Sequence, residues 1–250
     1  FMQRVAHTAD LIITDSHHSK RDIRHHLAVP EEKIRVIYLG YDPRYQPMHD
    51  AQALQPTLRH YAIRQPYLLF VGVLEPKKNL DRLLEAFAIF QQTFDRGKDH
   101  QLVIAGAQGW FSDHLATTIA HLDLESQVRL TGFVPDDHLV ALYNGAEAFV
   151  FPSIYEGFGL PVLEAMACGT PVITSNVSSL PEIVGEAGLL VDPTDPHAIS
   201  QAIITILSDD QCKATLKAAG PHQARQFTWQ RTAEQTYQVY QEAYQRGAHR

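Results

Sequence analysis

Short apolar runs, each followed by a glycine-containing turn and then an amphipathic stretch, constrain this chain more than any other feature. The runs lie at 67–73, 102–105, 128–131, 148–151, 172–174 and 188–191 and are built largely from Val, Ile, Leu and Phe. Between them the spacing turns helical: within 80–94 the apolar residues Leu80, Leu83, Leu84, Phe87 and Ala88 fall on one face. Further helices are expected over 114–122, 136–144, 195–207 and 229–244, and around Glu164. Strands that are apolar on both faces, alternating with helices, pack as a parallel sheet covered on both sides. The expected fold is therefore α/β, a doubly wound parallel sheet, in which ligands bind beyond the carboxyl ends of the strands.

At 250 residues and 45% apolar content, such a sheet has enough material for a large core. The formal net charge of −7 argues against a nucleic-acid partner, which would select a basic surface. Cys168 and Cys212 are the two cysteines, without C-x-x-C spacing, so no disulfide framework is expected and a reducing, cytoplasmic setting is. No apolar run reaches the roughly 18–20 residues that span a bilayer. The histidines, including the pairs His17–His18 and His25–His26, form no H-E-x-x-H ligand pattern, and Asp136–Asp137 reads as helix-opening charge. No metal is expected.

The stretch Glu156, Gly157, Phe158, Gly159, Leu160, Pro161, Val162, Leu163, Glu164 carries the chemistry. It joins the apolar run at 148–151 to the next helix, so one carboxylate falls in a strand-to-helix loop and the other within the helix's first turns. Glycines let the backbone N–H groups approach a ligand closely. A helix N-terminus adds unpaired donors and a positive dipole end for a phosphate. A ligand with a diphosphate between two hydroxyl-bearing ends, such as a nucleotide sugar, suits the arrangement.

This element, followed by 167–172 (ACGTPV) and 180–184 (LPEIV), resembles the C-terminal half of family-4 glycosyltransferases, retaining enzymes of GT-B architecture. Upstream, 70–80 (FVGVLEPKKNL), 103–106 (VIAG) and 130–135 (LTGFVP) resemble that family's earlier donor-domain strand ends, in the family's order. The likeness runs over roughly residues 5 to 245. It implies a Rossmann-like nucleotide-sugar domain over 67–227, a remnant of the N-terminal acceptor domain over 1–47, a linker over 48–66, and a last helix over 228–250 that crosses back toward the N-terminal domain. Most of that N-terminal domain is expected to be missing, and the chain to be a fragment or a truncated product.

The resemblance also assigns residues. Glu164 would hold the ribose hydroxyls, two acceptors for a vicinal diol. Glu156 would support the reaction beside the transferred sugar, unless it caps the loop backbone. Lys78, in preference to Lys77, would stabilise charge on the departing diphosphate. Gly72, Asn79 and Gly106, the base-facing trio Gly132, Phe133 and Val134, and the loop residues Gly157, Phe158, Gly159 and Leu160 complete the expected donor site; Phe133 reads equally as a core aromatic. Many relatives carry Arg directly after the glycine matching Gly72, whereas this chain has Val73, which weakens the expected two-cation clamp.

The expected function is transfer of a hexose from a GDP- or UDP-sugar to a glycan or lipid-linked acceptor, with no further cofactor. The loop 75–79 (EPKKN) resembles that of relatives that transfer mannose or similar sugars to polysaccharides or lipid-linked oligosaccharides, and the expected setting is the cytoplasm or the inner face of a membrane, peripherally. Two alternatives stay open: a donor-binding fragment inactive alone, and a nucleotide-sugar epimerase.

Overall fold

A computed structural model describes residues 2–107 and 112–248. The chain begins with α1 (Met2–Thr8), β1 (Ile12–Thr14), α2 (His17–Leu27), β2 (Ile34–Val36) and α3 (Gln55–His60). It continues with β3 (Tyr67–Val71), α4 (Leu80–Thr93), β4 (Gln101–Ala105), α5 (Ser112–His121), β5 (Val128–Gly132) and α6 (Asp136–Gly145). Next come β6 (Ala148–Phe151), α7 (Leu160–Ala167), β7 (Val172–Ser175), α8 (Leu180–Val184) and β8 (Gly188–Val191). The described chain closes with α9 (Pro196–Ser208), α10 (Asp210–Ala224) and α11 (Trp229–Ala248).

The main sheet is six-stranded and parallel, in the order β5-β4-β3-β6-β7-β8. This is the doubly wound arrangement expected from the sequence. The four inner strands are buried at every position, while β5 and β8 at the edges are only partly covered. That difference explains why the inner strands read as continuous apolar runs. Helices α4, α5 and α9 pack together on one face, and α6, α7 and α10 on the other. Phe70 of β3 and Phe151 of β6 stack with ring centroids 5.5 Å apart, joining the two strands at the centre of the sheet. Strand order reverses between β3 and β6, and this switch point is where a crevice opens beyond the strand ends.

A second, smaller body holds β1 and β2, a parallel pair with its own core of Ala6, Val29 and Ile34. Helix α11 lies against it. Arg35 donates to both carboxylate oxygens of Glu242 at 3.1 and 2.6 Å, and the Thr232 hydroxyl donates to the Tyr38 carbonyl at 2.7 Å. A Cβ on Gly40 would lie 2.1 Å from the backbone nitrogen of Trp229, so only glycine permits this crossing. Tyr237, Tyr240 and Tyr244 stand out from α11 and are exposed.

The stretch 48–66, read from the sequence as a linker, is structured. It forms a 3-10 turn (Ala51–Leu54) and α3, and buries Leu54, Leu58, Tyr61 and Ile63 in the main core. Its prolines obscured the pattern. Pro56 sits in the first turn of α3, where its missing N–H costs no helical bond. Strand β3 also ends at Val71, two residues earlier than expected, and leaves Val73 exposed.

Candidate functional site

The loops leaving β3 and β6 at the switch point are stitched together. The amide of Ile154 donates to the Lys77 carbonyl at 2.8 Å. Lys78 closes a 3-10 turn (Pro76–Lys78), and the left-handed Asn79 (φ 61°) turns the chain into α4. This geometry separates the two lysines. Lys77 is exposed and lies 3.6 Å from Glu75, whereas Lys78 points inward.

Lys78 Nζ donates to Glu156 Oε1 at 2.6 Å, and both residues are under 10% exposed (9% and 8%). The ammonium also sits 4.9 Å from the centroid of the Phe151 ring. The Ser153 hydroxyl donates to the same Glu156 oxygen at 2.7 Å. Among the described residues, Glu156 Oε2 has no hydrogen-bond partner. The carboxylate is thus fixed through one oxygen and presents the other.

Beyond Glu156 the chain runs over Gly157, Phe158 and Gly159 into α7. Gly159 is left-handed (φ 118°), and a Cβ there would meet Leu180 Cδ2 at 2.8 Å, so the turn requires glycine. The loop carbonyls are occupied: Ser178 Oγ donates to Glu156 O at 2.6 Å, and Ser179 Oγ to Phe158 O at 2.7 Å. The loop amides are not. Among the described residues, the N–H groups of Gly157, Phe158, Gly159 and Leu160 have no acceptor within the protein. Four free donors at the start of a helix are of the kind that can receive an anion. The Phe158 side chain is buried against Tyr38 and Phe227, so it contributes backbone only.

Glu164 is the fifth residue of α7, beyond the first turn, where the helix dipole no longer favours its charge. Burial pushes its carboxyl up to about 7, against the Tyr143 hydroxyl, which donates to Oε2 at 2.9 Å and pulls it down. Asp136 and Asp42 add to the upward push. Tyr143 is itself buried and packs edge-on against Tyr45 at 5.8 Å.

The glycines at three neighbouring strand ends have different reasons to be there. A Cβ on Gly106 would lie 1.8 Å from the Gly72 carbonyl, so the packing of β3 against β4 by itself demands glycine there. Gly132 is left-handed (φ 71°) with open space around it. It turns Phe133 outward, 73% exposed, and returns Val134 to the core. The core-aromatic reading of Phe133 is therefore excluded.

Asn79 departs from the ligand role expected. Its Nδ2 donates to the carbonyls of Pro152 (3.0 Å) and Pro193 (2.6 Å), while its Oδ1 accepts from Arg82 at 3.0 Å. The side chain staples three loops together and has no donor to spare. Val73 places an exposed apolar group at the mouth where a second cation was in question. Ser153, Tyr143 and Ser179 support the site but carried no sequence signal of their own. Among the described residues, no cluster of His, Cys, Asp or Glu could hold a metal ion, and no helix is long and apolar enough to cross a membrane.

Residues 61–223 match the family model described as "Glycosyl transferases group 1". The chain is 40% identical, over 245 residues, to the O-antigen chain mannosyltransferase B of Escherichia coli, covering 96% of this chain and 64% of that protein. Sucrose-phosphate synthase from Thermosynechococcus elongatus superposes with a TM-score of 0.83 at 30% identity, over 97% of this chain and 60% of that one. The Anabaena protein Alr3699/HepE, in complex with UDP-glucose, shares the fold at a TM-score of 0.85 and 22% identity, over 96% of this chain and 67% of its own. The chain thus spans somewhat under two thirds of the length of the first two.

Proposed function

The chain belongs to the group 1 glycosyl transferases, and on that ground we propose that it forms the donor-binding part of a hexosyltransferase that uses a nucleotide sugar. The observation that carries this reading is the row of free N–H groups at 157–160 flanked by Glu156 on one side and Glu164 on the other. The diphosphate would lie on the loop amides, the ribose diol on Glu164, and the base beside Phe133. The sugar would lie against Glu156 Oε2.

Lys78 would face the oxygen on which charge develops as the nucleoside diphosphate leaves. With four backbone donors it would stabilise that leaving group through protein groups, so the reaction as proposed calls on no resident cofactor. Departure and attack on one face of the sugar would give retention. Mannose is the proposed sugar, supported by the 75–79 loop and by the 40% identity to an O-antigen mannosyltransferase. A glycan or lipid-linked acceptor would complete the reaction. The family placement favours transfer over epimerisation. The chain's span of 64% of that relative favours one further reading, in which this chain binds donor but needs the remaining third to transfer it.

Thermal unfolding with GDP, UDP, ADP and their sugar conjugates tests the proposal. A ligand that binds only the folded state raises the melting temperature by linkage. A shift with one nucleotide, lost in Glu164→Ala, supports the donor site and names the base. Absence of any shift would overturn the assignment of 157–160 and Glu164. Formation of a mannosylated product from GDP-mannose and a lipid-linked glycan separates the full transferase from the binding fragment.

A further inference from the structure

Glu182, one turn into the segment 178–182, reaches from the main body to the first turn of α2. Its Oε2 accepts from the backbone N–H of His17 at 3.0 Å and from the Tyr38 hydroxyl at 2.9 Å, and its Oε1 accepts from the N–H of His18 at 3.0 Å. Two of the three donors, the amides of His17 and His18, come from the smaller body, and Tyr38, just after β2, packs against Phe158 and Phe227 of the main core. Helix α2 consequently has its first three amides capped, two by Glu182 and the third, Ser19, by the Ser16 hydroxyl at 3.0 Å. The N-terminus of α2 is therefore filled by the protein's own carboxylate.

The same short segment also grips the Gly157 loop. Ser178 and Ser179 donate to the carbonyls of Glu156 and Phe158, and Ser178 Oγ accepts from the Glu156 amide at 2.9 Å. On its opposite side the loop is held from α2: the Tyr155 hydroxyl donates to Asp22 at 2.7 Å, and Ser19 Oγ to Gly157 O at 3.3 Å. Moving α2 relative to α8 would move both sides of the loop.

We infer that Glu182 is a positioning residue, a latch that fixes the smaller body against the donor body and thereby holds the 157–160 amides in place for a nucleoside diphosphate. The inference rests on the reading of 157–160 as the donor site. A carboxylate suits the task because three donors converge on its two oxygens. A carboxamide offers one oxygen and turns an NH2 toward a backbone N–H.

Hydrogen exchange on the full chain, with GDP and UDP binding measured on the same samples, tests the latch. In Glu182→Gln, protection of the His17 and His18 amides falls about tenfold, and that of Glu156 and Val162 falls with it, while β6 and β7 are unchanged. Affinity for the bound nucleotide drops about tenfold, and in a transfer assay KM for donor rises with kcat retained. Tyr38→Phe removes one of the three donors, keeps the ring packing, and produces the same pattern in smaller degree, which serves if the first variant does not fold. Loss of protection at His17 and His18 with Glu156 and Val162 at wild-type levels would reduce Glu182 to a helix cap and overturn the inference. If the wild-type chain binds neither nucleotide, the donor-site reading fails, and the exchange pattern still decides whether Glu182 holds the loop.

Discussion

Lys78 Nζ lies 2.6 Å from Glu156 Oε1, and the pair bridges the loops that leave β3 and β6 at the point where strand order reverses. Neither charge has much access to water, so each depends on the other. Lys78→Met would strand a buried carboxylate and cost about 3 kcal/mol of stability, whereas Lys78→Met combined with Glu156→Gln would recover most of that loss. Urea unfolding of the two single variants and the double variant checks this. Additive losses would show that the two charges are not coupled.

The Glu164 carboxyl makes stability depend on pH in a defined direction. In the folded chain its pKa is raised by burial to about 7, against 4.5 as the ordinary value. The folded state thus binds a proton that the unfolded chain releases earlier, so the contribution is full below pH 4.5 and is lost as pH rises through about 7. Glu164→Gln keeps an acceptor for Tyr143 and carries no charge. It is expected to be more stable than the wild type at pH 8, by about 2 kcal/mol, with the difference falling to roughly a quarter of that at pH 5. Thermal melts at the two pH values without nucleotide decide it.

Nucleotide affinity should run the opposite way. A ribose diol needs the ionised carboxylate, so binding strengthens as pH rises through about 7. Phosphate titrates near pH 6, and Glu164→Gln supplies the slope that belongs to the ligand. Tyr143→Phe removes the hydrogen bond that pulls the Glu164 pKa down, and its binding midpoint moves to higher pH. Isothermal titration from pH 5.5 to 8.5 measures all three; a Tyr143→Phe midpoint at or below the wild-type value would refute the coupling.

Two strand-end glycines that look alike in the sequence should respond differently to alanine. Gly106→Ala drives a Cβ into the Gly72 carbonyl, 1.8 Å away, and neither backbone can yield without breaking the β3–β4 ladder. A loss of about 3 kcal/mol or more, or failure to fold, is expected. Gly132→Ala meets nothing and bears only the left-handed backbone, about 1 kcal/mol. Equal losses in denaturant would contradict the geometry.

Residues that lie next to one another in the sequence were legible there. The six main strands and the glycine loop before α7 each sit in one contiguous stretch whose pattern reports local structure, whereas Lys78 was preferred to Lys77 through the family resemblance alone. Helix α3 was legible in Leu54, Leu58 and Tyr61, at i, i+4 and i+7, but the surrounding prolines masked it. Asn79 was placed by the company it keeps. Its neighbours made it look like a ligand, and only the carbonyls of Pro152 and Pro193 reveal a staple. Tyr143 with Glu164 and His17 with Glu182 are 21 and 165 residues apart. Such pairs leave no periodic trace, because the fold alone brings them together.

Phe133 separates binding from folding. Its ring is 73% exposed and projects from the end of β5, while Val134 beside it carries the core contact. Removing a ring in this setting changes stability by no more than about 0.5 kcal/mol. A base stacked on an aromatic face gains about 1–3 kcal/mol. Phe133→Ala should therefore unfold with the wild-type midpoint yet bind the nucleotide about tenfold more weakly, and Phe133→Tyr, which keeps a flat ring, should bind as the wild type does. Titration of the three proteins with the nucleotide that stabilises the wild type gives the answer. Unchanged affinity in Phe133→Ala would place the base elsewhere along the strand ends.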